Sequence, residues 1–141
     1  MRRLLGRRVQ PPRTLLAALG VIFEDVSTAP SVVRVIEHSW LARLHGRAIA
    51  TTRWRRIYLR GRAADFFADP ELMLHEYCHV LLQWESGRLT RSSYLSELLR
   101  RGYFLNSYEV EARRFARSNL ERLRAELARA SGERRADPPS D

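Results

Sequence analysis

Leu74-His75-Glu76-Tyr77-Cys78-His79-Val80 sets two histidines four residues apart with a glutamate directly after the first, the H-E-x-x-H pattern of a zinc-binding helix. On an α-helix four residues advance about 400° and about 6 Å, so the His75 and His79 imidazoles project from one face and can reach a single ion. Zn2+ accepts such a pair at roughly 2.0–2.1 Å per nitrogen, takes a third protein ligand and leaves a fourth position for water. Glu76 lies about 100° round from His75, beside that position, where it can take a proton from the water. The flanks agree with a helix. Asp69-Pro70-Glu71 reads as N-cap, proline at the first helical position and an acid in the first turn, and Gly87 supplies the stop. Leu72, Met73, Leu74, Tyr77, Val80, Leu81, Leu82 and Trp84 cover almost the whole circumference, which predicts a buried central helix. Two histidines and a glutamate in so apolar a segment are costly without a partner, and a metal supplies one. A helix with two internally satisfied histidines and a solvent-facing glutamate has the same spacing and is the plainer alternative. Cys78 points about 100° away from His79 and reads as a buried, inert thiol.

The 141 residues predict one domain, large enough for a real core and too small for a peptidase with separate subdomains. One cysteine excludes an intrachain disulfide, and no apolar run approaches the roughly eighteen residues of a membrane span. The net charge of +9 points towards nucleic acid or an acidic membrane face. All 25 basic residues are arginine, however, which biased coding composition produces as readily as selection for a ligand. Many of them sit beside glutamate on apparent helix faces, where a solvated, salt-bridged surface is the ordinary result. Nucleic acid is therefore not the expected main partner.

Arg2, Arg3, Arg7, Arg8 and Arg13, followed by apolar positions from Leu15 to Phe23, resemble the start of a secretory signal. Glu24 and Asp25 follow at once and no small-x-small cleavage site is clear, so the reading is a basic arm over 1–13, a packed first helix ending near Ser27, and a cytoplasmic chain. Secretion is the alternative. Ser31 to Ile36 is β-branched and reads as a strand; Glu37 to His45 is ambiguous. Ala48 to Thr52 and Arg55 to Leu59 read as two strands of an antiparallel hairpin about Arg53-Trp54. Beyond the central helix, Ser92 or Ser93 can cap a short helix from Tyr94 to Arg101, ended by Gly102. Asn106 or Ser107 caps a long helix to about Ser131, and 132–141 is expected to be a disordered tail. The fold class is α+β: a domain over 14–131 in which a short antiparallel or mixed sheet packs on the central helix and a long C-terminal helix follows.

The start of the long helix, Asn106-Ser107-Tyr108-Glu109-Val110-Glu111-Ala112-Arg113, offers two acids as third ligand. Glu109 and Glu111 point about 200° apart, so only one can face the central helix. Glu109 also fits a capping box with Asn106, and Glu111 a surface acid at a helix N-terminus. His75-Glu76-x-x-His79 followed some thirty residues later by Glu109-x-x-Ala112 resembles the gluzincin type of zinc metallopeptidase. The order of a Thr-rich strand, an Ile-Tyr-Leu strand, the zinc helix and Asn-x-x-Glu-x-Glu-Ala is similar to small bacterial zincin domains, over roughly residues 32 to 117. The resemblance implies a zincin-like fold with Zn2+ held by His75, His79 and Glu109, Glu76 as general base, and Ala112 as the small residue that lets the two helices approach. The family often carries an acid four residues after the ligand glutamate, supporting a histidine. Here that position is Arg113, which leaves the histidine N–H groups to backbone carbonyls or Asp69.

The function expected is hydrolysis of a peptide or protein substrate by zinc-activated water. An extended substrate can add to a strand edge at Ala48 to Thr52 or Arg56 to Leu59. Tyr103, Tyr108, His38 and His45 are the candidates for an oxyanion donor. The alternatives are a non-catalytic, zinc-stabilised binding or toxin-associated module and a basic nucleic-acid-binding domain.

Overall fold

Asp69 opens helix α4 (Pro70–Cys78) by accepting the Leu72 N–H on its side chain at 3.1 Å, and Pro70 occupies the first turn, where its missing donor costs nothing. The winding then widens into a π segment, His79–Trp84, in which the Glu85 N–H reaches back five residues to the Val80 carbonyl. Gly87, at φ 76°, follows as the break. The computed structural model describes residues 6–43 and 49–136, the side chains of 133–136 excepted. Around α4 it places β1 (Arg7–Val9), α1 (Arg13–Ile22), β2 (Arg34–Glu37), α2 (Trp40–Arg43), β3 (Ala50–Arg53), β4 (Arg56–Leu59), α3 (Ala63–Phe67), α5 (Arg91–Leu105) and α6 (Ser107–Ala136). The fold is α+β.

The sheet has the order β1-β2-β4-β3, antiparallel at both outer pairs and parallel between β2 and β4. Val35 opposes Ile57, and both are fully buried, so one face of the sheet is committed to the core. α1 brings Leu15, Leu19 and Ile22 to that core, α4 brings Met73, Leu74 and Tyr77, and α6 brings Ala116 and Leu123. α6 packs along both α4 and α1. Ala112 and Ala116, on successive turns, put almost no bulk between it and its neighbours.

Several elements differ from the sequence expectations. Arg7–Val9, expected in a free basic arm, pairs with β2, because the Arg7 guanidinium binds buried Glu37 and Val9 packs on the core. Gly6 precedes it at φ 87°, where a Cβ would sit 2.5 Å from the Glu37 carbonyl oxygen, so the approach to β2 requires glycine. The first strand after Pro30 begins at Arg34 rather than Ser31, since proline starts a short 3-10 turn there. The antiparallel hairpin forms, but its turn is Trp54-Arg55 rather than Arg53-Trp54: Arg53 pairs with Arg56, and Arg55 takes the left-handed φ of 56°. β4 is an inner strand, so of the two segments expected to offer an edge to substrate only β3 does. Thr90, not Ser92 or Ser93, caps α5; Ser93 completes its capping box. Gly102, at φ 72° and ψ 172°, breaks that helix as expected, but one further turn runs to Leu105. α6 continues to Ala136, five positions past Ser131, because an Arg- and Glu-rich solvated helix meets no residue that forbids it before Pro138. The remainder of the expected tail, 137–141, lies outside the described residues, as do residues 1–5 of the arm, His45 and Ala48.

Candidate metal centre

His75 and His79 stand on the same face of the central helix, and Glu109 comes to them from the first turn of α6. His75 Nε2 lies 3.1 Å from His79 Nε2 and 3.0 Å from Glu109 Oε2, and His79 Nε2 lies 3.4 Å from Glu109 Oε1. Three ligands around one zinc, with bonds of about 2.0–2.1 Å, are separated by about 3.3–3.4 Å when tetrahedral. The three donor atoms therefore already approach the spacing that a shared ion demands. Glu111 is elsewhere: both its oxygens accept from Arg88, at 2.8 and 3.0 Å. Of the two acids, the one that faces the central helix is Glu109. Asn106 does not share it in a capping box, since its own N–H bonds the Tyr103 carbonyl; its Oδ1 accepts the Tyr108 N–H instead.

The tautomer of His79 follows from its neighbour. Gln83 donates its amide N–H to the Tyr108 carbonyl at 2.9 Å, which fixes Oε1 towards the ring, and His79 Nδ1–H donates to that oxygen at 2.6 Å. In the neutral ring Nε2 is then a lone pair aimed at a carboxylate. Such a convergence of acceptors requires a cation, either a proton or a metal. Burial disfavours a charged imidazole, yet the Glu109 hydrogen bond and charge outweigh it and lift the His79 pKa to about 9. Glu109 is driven the other way: burial opposes ionisation, but the hydrogen bonds from His75 and His79 hold its carboxyl far below the usual range. The Tyr94 hydroxyl adds a donor to Glu109 Oε1 at 3.2 Å.

Glu76 is buried beside the cluster, and burial, the largest influence, pushes its carboxyl up against the opposing charges of His79 and His75. It lines two adjoining clefts, of about 490 and 740 Å3, that meet at Ala50, His75, Glu76 and Tyr103. One continues past Arg53, Trp84, Leu98 and Arg91, the other past Asp69, Leu72 and Arg113. The free edge of β3 forms one wall. Trp84 steadies that wall by donating to Thr52 Oγ1 at 3.4 Å, and Glu85 holds the hairpin tip by accepting from Trp54 and Arg55 at 2.8 and 2.7 Å.

Of the oxyanion candidates only Tyr103 lines the cleft. Tyr108 spends its hydroxyl on the Arg88 carbonyl at 2.7 Å, His38 is exposed and lines neither cleft, and His45 is outside the described residues. Neither a backbone carbonyl nor Asp69 supports His79; Gln83 does. Its position, one turn beyond His79 on the same helix, was the available signal. Tyr94 had none, since its approach to Glu109 depends on how α5 folds back. Arg113, at the position where an acid was awaited, instead donates to the Phe104 carbonyl and lies over the Phe104 ring at 4.5 Å, tying α6 to the bend in α5. Cys78 is buried, and burial raises its pKa to about 12, as befits an inert thiol. Comparison with protein-family models, curated proteins and solved structures finds no match to this chain.

Proposed function

We propose that this chain is a zinc-dependent metallopeptidase of the zincin type, with Zn2+ held by His75, His79 and Glu109. The observation that carries the reading is the convergence of those three side chains from two helices, with a buried glutamate next to them on the floor of an open cleft. Their donor set of two imidazoles and one carboxylate suits zinc, and the neutral His79 tautomer fixed by Gln83 is the one that ligates through Nε2. A zinc ion so bound supplies Lewis acidity towards a carbonyl oxygen and lowers the pKa of a water towards roughly 7. An extended peptide would add to the β3 edge along Ala50–Arg53, which sets its scissile bond above His75 and Glu76. Glu76, whose carboxyl is raised by burial, takes a proton from the attacking water and returns it to the amine nitrogen as the C–N bond breaks. Tyr103, at the junction of the clefts, is placed to donate to the developing oxyanion.

The test is cleavage of a mixed peptide library by zinc-loaded wild type and Glu76→Gln. The wild type should cleave and lose activity to a chelator, while Glu76→Gln should keep its zinc and lose about 10²- to 10⁴-fold in rate. Unchanged cleavage by the variant would remove Glu76 from the chemistry.

A further inference from the structure

Helix α5 is apolar on two sides and covered on one. Tyr94 and Leu98 turn towards the cleft, whereas Leu95 and Leu99 turn outwards, and beyond the bend Tyr103, Phe104 and Leu105 also stand in solvent. Of the nine exposed large hydrophobic residues among those described, these five fall within positions 95–105; Leu99 is 79% exposed and Phe104 72%. Scattered exposed leucines are ordinary, but a cluster of this density on one element marks a contact surface. No residue of α5 is buried, so packing on this domain alone does not account for its hydrophobicity.

The charges around the patch select its partner. Arg91, Arg100 and Arg101 are exposed along the helix, and Arg113 sits over Phe104. The one acid, Glu97, is engaged by the Ser107 N–H at 3.3 Å and by Arg101 at 3.7 Å, while Arg91 and Arg100 have no ion-pair partner among the described residues. Leucine and aromatic side chains rimmed by arginine on a surface helix are what an interfacial helix presents to acidic headgroups. A second copy is a poor match, because a two-fold contact would set one arginine-rimmed face against another whose one acid, Glu97, is already engaged. Among the described residues no helix is long and apolar enough to cross a membrane.

We propose that the outer face of α5, with Leu95, Leu99, Phe104 and Leu105 entering the headgroup region and Arg91 and Arg100 meeting lipid phosphates, docks this protein on an anionic membrane. Tyr103 and Arg91 belong both to this patch and to the cleft, so docking sets the cleft mouth at the lipid surface. The inference does not depend on the peptidase reading.

Flotation with vesicles tests it, using phosphatidylglycerol and phosphatidylcholine in equal parts against phosphatidylcholine alone. Wild type should float with the first and remain free with the second. The double variant Leu99→Ser, Phe104→Ser keeps the net charge and changes only exposed side chains; with its circular dichroism unchanged, it should bind about tenfold more weakly or less. Arg91→Gln with Arg100→Gln should weaken binding similarly. Flotation of the serine variant equal to wild type would overturn the proposal, since the basic surface at large would then suffice. No flotation of wild type would also overturn it, as would a lipid-free dimer, seen by sedimentation, that the serine substitutions dissociate.

Discussion

His79 is held at both ring nitrogens, and that two-sided grip is where the site depends on residues that are not ligands. Gln83 bridges the ring to the Tyr108 carbonyl, so it orients the imidazole and ties the central helix to α6 at once. Replacing it with leucine removes the acceptor from Nδ1–H and leaves a buried donor unpaired. Zinc affinity, measured by competition with a chromogenic chelator, should fall about 10- to 100-fold while His75, His79 and Glu109 are intact. The spacing of His75, Glu76 and His79 was legible from the sequence because helix geometry alone puts them together. Choosing Glu109 over Glu111 was not a matter of spacing, and it rests on Arg88, which draws Glu111 to the other side. The substitution of Arg113 for an acid was visible, but its consequence was not, because the compensating group lies on the central helix itself.

Among elements, the crossing of α4 and α6 is the one on which the centre is built. Ala112 is fully buried there, one turn from Glu109. Ala112→Leu should destabilise the fold by about 1–3 kcal/mol in a denaturant titration, and should also lower zinc retention, because pushing the helices apart separates Glu109 from the histidines. A second junction joins β1, β2 and α3 through Glu37. Its carboxylate accepts the Ala63 N–H at 2.8 Å and binds Arg7. The Ala63 N–H first, then the Arg7 guanidinium, hold its pKa below the ordinary 4.5. A depressed folded pKa stabilises the fold above the unfolded value, and the contribution fades as pH falls through the folded one. Urea midpoints should accordingly drop more steeply below about pH 4.5 in wild type than in Glu37→Gln. Equal slopes would show that Glu37 carries no such load. The longer helices could be read from apolar spacing and caps, and the hairpin from two adjacent strand-like runs, whereas α2 lies in a stretch whose pattern was ambiguous and the short α3 was not foreseen. β1 could not, because a three-residue arginine-rich strand has no periodic pattern and is held by its pairing with β2, by the Arg7–Glu37 contact and by Val9 on the core.

At the scale of the whole molecule, the β3 edge of the sheet, the central helix and the start of the long C-terminal helix enclose a cleft that passes over His75 and Glu76. The α+β class followed from the sequence, while the parallel pairing of β2 with β4 and the fold-back of α5 follow from tertiary contacts that no local pattern encodes. This architecture is proposed to close around one zinc through His75, His79 and Glu109. The most direct measurement is zinc per chain, by elemental analysis after dialysis against zinc-free buffer, for wild type, Glu109→Ala and Glu111→Ala. One zinc in wild type and in Glu111→Ala, with loss from Glu109→Ala, is the predicted result. No zinc in wild type, or its loss from Glu111→Ala instead, would contradict the account.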